Sequence, residues 1–359
     1  MSPFALVLLA ALPLLATSPS TGRGTALAAD DDAASSTKSK WKQDRYAISM
    51  WVDPQVPPAQ IDARFKEIAD ANFSVHLGYD GESLFGRSRG LPSRARVTAQ
   101  LAAAEKYGLV TIAETCEDLT RAKNGTWQLN TTFWGGTCVT LKSKALWGFR
   151  LHDEIANMKG NKSLVYAALR NWSAHVSAAS PGALRFINWN SAGLLNKSAV
   201  EEPCFPEKPW DGTSCPVNND ASAYKAQSLD TRMSAFVDAV KPDVLAFDHY
   251  TYFTGGGDHD VTPQKSNNFM LTGVQSRASQ RSILSVFRRR SITSSTPFWN
   301  FIRIMPFDAH FDPTPAQLRW QAFTSLAYGS SGILWYCYWT PAYGGNRCVK
   351  LQSCLFPCS

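Results

Sequence analysis

Residues Leu146–Ile155 read LWGFRLHDEI. The first six are mostly apolar, and polarity then flips at His152-Asp153-Glu154. A parallel strand packed on both faces reads as such a continuous run. Two adjacent carboxylates at its C-terminal end are what an α/β barrel presents to a substrate. The stretch therefore reads as the fourth strand of a barrel, with Glu154 as candidate catalytic acid. A plainer reading competes with this one. Asp153 and Glu154 would cap a helix over Asn157–Ala179, where the helix dipole favours acidic residues.

The chain on either side repeats the pattern. Apolar runs at Ala47–Val52, Phe73–Leu77 and Leu109–Ala113 precede the central strand. Others follow at Leu184–Ile187, Asp243–Phe247, Phe298–Ile304 and Gly332–Tyr338. Between them lie stretches with helical spacing: Ala59–Ala71, Ser93–Tyr107, Leu164–Ala179, Ala221–Val240, Asn267–Arg290 and Pro315–Tyr328. After the third strand, which ends in Glu114, a loop with two sequons leads to the central strand. Eight strands alternating with helices predict a (β/α)8 barrel joined by right-handed crossovers. An open doubly wound sheet is the rival, but the turn after strand one, Val52-Asp53-Pro54-Gln55, has no phosphate-binding glycines. Gly255-Gly256-Gly257 has no helix after it and reads as a loop. The residues after strand eight do not read as an amphipathic helix, so the last helix is expected to be missing or replaced by a Cys-rich tail.

Composition bounds the function. The 359 residues are 44% hydrophobic and 18% charged, which suits a globular fold with a sizeable core. The net charge of +7 would suggest nucleic acid only if clustered. Its densest run, Arg288-Arg289-Arg290, lacks interleaved aromatics and reads as a solvated helix end, so no nucleic-acid partner is expected. Phe4–Ala16 is apolar but short for a bilayer span, and Ala26-Leu27-Ala28 offers a cleavage site. Residues 1–28 therefore read as a secretory signal and 29–44 as a disordered linker, followed by a single barrel domain over 45–359 with no stable membrane insertion. Eight cysteines without zinc-finger spacing predict disulfides. Cys204–Cys215 is the first pairing expected and Cys116–Cys138 the next. Cys337, Cys348, Cys354 and Cys358 could pair among themselves. Six Asn-x-Ser/Thr sequons, at Asn72, Asn124, Asn130, Asn161, Asn171 and Asn196, agree with a secreted glycoprotein.

Active sites of this fold lie at the C-terminal strand ends. There the chain offers Asp53, Asp80, Glu114, Asp153-Glu154, Asn188-Trp189-Asn190, Asp248-His249-Tyr250, Arg303 and Trp339. The histidines are scattered and form no metal motif, and no nucleophile elbow occurs, so neither metal nor cofactor is expected. Carboxylates beside aromatic platforms suit glycosidic bond cleavage, in which one acid protonates the leaving oxygen and a second carboxylate attacks or activates water. Asp80, Glu114, Asn190, His249, Tyr250, Trp51 and Trp339 are expected to contact a carbohydrate. Glu114 also has a plainer reading, as the partner of a neighbouring arginine. His76, within strand two, reads as a core histidine. Trp299, Trp335 and Tyr338 read as barrel core.

Four stretches carry a resemblance: WGFRLHDEI (147–155), DVLAFDHY (243–250), PFWNFI (297–302) and RWQAFTSLAYGSSGILWYCYWTP (319–341). They resemble glycoside-hydrolase-like barrels related to the clan containing the β-galactosidases, over most of Ala47–Pro341. In that clan the acid/base Glu follows Asn or Asp at the end of strand four, which Asp153-Glu154 matches. The clan's nucleophile is a Glu ending strand seven, whereas this strand reads FWNFIRIM and meets no carboxylate before Asp308. Two substitutes follow. Asp248 could be the base of an inverting reaction, which needs carboxyls roughly 6.5–9.5 Å apart. Alternatively, Asp153-Glu154 is similar to the pair of chitobiase-type hexosaminidases, where the substrate's acetamido group attacks, Asp153 would orient it, Glu154 would be the acid and Tyr250 a supporting donor. A carbohydrate-binding pseudoenzyme is the third expectation.

Overall fold

The computed structural model describes residues 41–51, 53–54, 56–78, 94–122, 124–133, 137–155, 158, 160–189, 229–250, 273–305 and 313–338. In chain order these form β1 (Ala47–Met50), α1 (Pro58–Asp70), β2 (Val75–Leu77), α2 (Arg94–Lys106) and β3 (Val110–Glu114). Next come β4 (Asp118–Arg121), β5 (Trp127–Asn130), β6 (Leu146–His152), α3 (Lys162–Ala179) and β7 (Leu184–Trp189). The chain continues through α4 (Leu229–Val240), β8 (Leu245–Asp248), α5 (Gly273–Ser294), β9 (Phe298–Arg303), α6 (Pro315–Ala327) and β10 (Gly332–Tyr336).

Eight of these strands form one sheet in the order β1-β10-β9-β8-β7-β6-β3-β2, and every pairing is parallel. Each barrel strand neighbours the next one round the ring, which the open doubly wound rival would not give. β1 and β2, at the two ends of that order, are stitched by Ser74. Its N–H donates to the Ile48 carbonyl at 3.0 Å, and its hydroxyl accepts from the Ile48 N–H at 2.9 Å. The barrel is thereby nearly closed. Seven of its strands begin and end within two residues of the sequence expectation, and β6 stops at His152, three residues short of the end of the Leu146–Ile155 stretch. Strand eight is followed by residues outside the description, so the expected loss of the last helix stays open.

Three hydrophobic clusters divide the packing. One fills the barrel through inward positions such as Val75, Ile112, Phe186, Ala246, Phe301 and Leu334. The other two lie outside it, under α3–α5 and under α1–α2. The floor is a group of tryptophans. Trp147 stacks on Trp299 with centroids 5.6 Å apart, and Trp41 meets both edge-on at 5.1 and 6.4 Å. Gly332 is required beside them, since a Cβ there would come within 2.6 Å of the Trp299 ring. Trp41 corrects the linker boundary. Residues 41–44 read as linker from their polar neighbours, yet Trp41 is 9% exposed and seals the floor. Residues 1–40 lie outside the described residues.

The segment between strands three and four is not a plain loop. β4 and β5 pair as an antiparallel hairpin, turned at Asn124-Gly125 with Gly125 at φ +83°. Asn-Gly between short strands is a hairpin signal that the sequence reading passed over. The Cys116–Cys138 disulfide, the second pairing expected, closes this excursion with its Cα atoms 5.2 Å apart. It spans 22 residues, so its loop-closure entropy predicts about 3 kcal/mol of stabilisation. A Cys116→Ser/Cys138→Ser protein should lose about that much unfolding free energy in a denaturant titration. Cys204, Cys215, Cys348, Cys354 and Cys358 lie outside the described residues.

The arginine run is not simply solvated. Arg289 and Arg290 both bond Asp230 on α4, and Arg288 donates to the Tyr328 carbonyl at 2.9 Å. These residues pin α5 to its two neighbours.

Candidate active site at the barrel mouth

Strand parity decides which residues reach the mouth. On β7, Leu184 and Phe186 face the interior, and Asn188 shares their side. On β8, Val244 and Ala246 face inward, so Asp248 does too. On β9, Trp299 and Phe301 place Arg303 inward at the end of the strand. β6 needs a register shift between Arg150 and His152 before it reaches Asp153 and Glu154.

The plainer reading of Asp153-Glu154 as a helix cap is overturned. α3 begins at Lys162, and its cap is Asn161, whose Oδ1 accepts from the Ser163 N–H at 2.8 Å. Glu154 instead has φ +50°, in the left-handed region that favours glycine. A carboxylate kept where backbone strain disfavours it is the pattern of functional sites.

Three carboxyls from strands four and six form one cluster. Asn188 Nδ2 donates to Asp153 Oδ1 and to Asp248 Oδ1, each at 2.9 Å. The two oxygens therefore lie within twice that distance of each other. Asp248 is 6% exposed, while Asp153 and Glu154 are partly open. Burial, followed by the charges of Glu154 and Asp153, pushes the Asp248 carboxyl well above its ordinary 3.8. Asp153 is raised as well, chiefly by burial, while its bond to Asn188 opposes the shift. Tyr250 joins the cluster: burial and the nearby Asp248 raise its phenol, and its ring lies 5.3 Å from Tyr336.

The sequence reading made Asp248 the base. Burial and the neighbouring charges favour the protonated form of Asp248, which suits a proton donor better than a base. The same shift has a stability consequence. The native state keeps a proton here that the unfolded chain releases above about pH 4, so stability from this group is lost as pH rises through its raised folded pKa. Asp248→Asn cannot ionise. Its unfolding free energy relative to the parent should therefore climb from pH 4 upward, read by denaturant titration at several pH values.

The remaining expectations divide. Glu114, 7% exposed, is gripped by Arg150 through two bonds of 2.7 and 2.8 Å, as its plainer reading held. Its carboxylate is occupied in the wall of the mouth. Asp53 is buried outside the barrel and accepts from Gln100 on α2, with Arg96 at 3.6 Å. His76 sits beside it, packed on Phe65 and held neutral by burial, with its pKa near 3. His249 is 2% exposed, on the side of the strand opposite Asp248 and Tyr250, and burial pulls it down to about 4. Trp51 is expected as a stacking platform, yet it is 5% exposed and meets Phe301 edge-on at 5.2 Å. Most of its ring is spent inside the barrel. Trp299 is core as expected, and Tyr338 packs outside the barrel against the α1 side. Asp80, Asn190, Trp339 and Asp308 lie outside the described residues. Asn188, which the sequence reading passed over in favour of Asn190, is the residue that joins the cluster. Its parity with Leu184 and Phe186 was the available signal.

No family model and no curated protein sequence matches the chain. Among solved structures it is similar to the endo-beta-1,4-mannanase from Thermotoga petrophila, at 11% identity and a TM-score of 0.48, covering 84% of this chain and 69% of that one. It is similar to the exo-beta-1,4-mannosidase Op5Man5 from an Opitutaceae bacterium, at 12% identity and 0.44, covering 82% and 52%. It is also similar to a truncated 3-deoxy-D-arabino-heptulosonate 7-phosphate synthase from Thermotoga maritima, at 10% and 0.35, covering 81% and 74%. Likeness this distant assigns neither an activity nor a substrate.

Proposed function

We propose that the barrel mouth hydrolyses a glycosidic bond, with Asp248 as proton donor and Glu154 as the carboxylate that attacks or activates water. The observation that carries this reading is the Asn188 amide shared between Asp153 and Asp248, with the charge of Glu154 felt at Asp248. Cleavage needs one carboxyl that is protonated and one that is ionised, in neighbouring but different environments. Burial keeps the proton on Asp248, and Glu154 is the more open of the two. Asp153 shares the Asn188 amide that holds Asp248 in place. Arg150, paired with Glu114, walls the mouth. The signal segment and the sequons make the natural setting the secretory route, with extracellular poly- or oligosaccharides as substrates.

The test is a hydrolysis screen of the intact protein on oligosaccharides and aryl glycosides, with anomers followed by NMR. Release of reducing ends at a rate that Glu154→Gln abolishes supports the reading. Equal rates in parent and variant remove it.

One observation favours a second reading, a carbohydrate-binding protein without turnover. The inward position ending strand seven is Arg303, fully buried, where the resembled clan carries its nucleophile. Retained sugar binding with no hydrolysis of any bound sugar would select it. The substrate-assisted alternative would instead show strict dependence on an acetamido group.

A further inference from the structure

Asn188 is 3% exposed, and its side chain is fixed from one end. Its amide nitrogen faces two carboxyl groups and donates to both. An ionised Asp153 only accepts hydrogen bonds, and Asp248 accepts here through Oδ1, so turning the amide over would lose the bond to Asp153. Its carbonyl oxygen is therefore directed away from the carboxyls. That oxygen is buried and has no hydrogen-bond partner among the described residues. Native interiors rarely leave such an acceptor unpaired, and a functional site is one place where they do. Asp153 and Glu154 are acceptors in their ionised forms, and no described atom, the Asp248 carboxyl included, lies within hydrogen-bond reach of that oxygen, so the donor is left to a ligand.

We infer that Asn188 is a substrate-binding residue, its side-chain carbonyl accepting a hydrogen bond from one hydroxyl of a sugar ring seated in the barrel mouth. This rests on the carbohydrate reading above and extends it to a named recognition contact. The two bonds to the carboxyls hold the acceptor rigid before the ligand arrives, so little ordering is lost on binding. A site built to bond a hydroxyl discriminates strongly against the analogue lacking it, because its buried acceptor is then left unpaired. Asn188 thus couples ligand recognition to the carboxyl pair: the same amide that reads a hydroxyl with its oxygen positions Asp248 with its nitrogen.

The test uses the full chain carrying Glu154→Gln, so that bound sugars persist. Glucose, galactose, mannose, fucose and N-acetylglucosamine are titrated by NMR, and the monodeoxy series of the tightest is then measured. One deoxy position should lose about tenfold or more in affinity. The same analogue should lose nothing relative to its parent sugar when Asn188→Ala is added, while the other positions lose equally in both proteins. Asn188→Ser provides the same comparison if the alanine protein does not fold. The inference falls if no sugar of the panel binds, or if every deoxy position loses equally with and without Asn188. Binding with the expected coupling but no turnover by the parent protein would remove the hydrolase reading and leave the inference standing. Hydrolysis with the coupling absent would do the reverse.

Discussion

Asp248→Asn is expected to slow hydrolysis of an unactivated glycoside by about 10²–10⁴-fold, the usual worth of a positioned proton donor. The same variant should keep a dinitrophenyl glycoside within about tenfold of the parent rate, since that leaving group departs without needing a proton. Glu154→Gln should lose rate on both substrates, because activating a leaving group does nothing for a missing base or nucleophile. The contrast follows from the burial difference between the two carboxyls. Asp248 is 6% exposed and faces the charges of Glu154 and Asp153, which favours its protonated form. Steady-state kinetics on the two substrate classes reads it directly. Reversal of the pattern, with Glu154→Gln rescued by the activated substrate and Asp248→Asn not, would restore the assignment that the sequence alone suggested.

Trp299→Ala should produce the largest loss of stability, about 3–5 kcal/mol. Trp299 is fully buried in the barrel floor, stacked on Trp147, edge-on to Trp41 and 5.8 Å from Phe186. Gly332 lacks a side chain where that ring lies, so nothing on β10 can fill the space. The indole N–H also donates to Gln43 Oε1 at 3.1 Å, tying down the segment that carries Trp41. A loss of this size is a large share of a domain's usual 5–15 kcal/mol and could leave too little folded protein to measure. Trp299→Phe keeps the stacking and should lose about 1–2 kcal/mol in the same denaturant titration. Equal stability of the alanine variant and the parent would mean that the tryptophan floor is not what closes the barrel.

Periodicity located the barrel strands because their inward and outward residues are both apolar over most of their length. It located Asp248 and Glu154 because polarity breaks abruptly at the mouth. It failed where the signal was parity rather than polarity. Asn188 and Asn190 flank the same tryptophan, and only the alignment of Asn188 with Leu184 and Phe186 shows which one meets the carboxyls. Asp53 follows a strand end just as Glu114 does, yet it turns outward to α2, a choice set by Gln100 and Arg96 far along the chain. The β4–β5 hairpin escaped because its strands are half exposed and offer no apolar run, with only Asn124-Gly125 to announce it. The upward shift of the Asp248 carboxyl was beyond reach of the sequence altogether, since it depends on burial and on charges brought from another strand.

The pH dependence of kcat/KM for Asp248→Asn against the parent, on one responsive glycoside, tests the central claim most directly. A bell-shaped profile is expected in the parent, with the alkaline limb marking loss of the Asp248 proton, and that limb should vanish in the variant while the acid limb stays. An alkaline limb unchanged in Asp248→Asn would contradict the account.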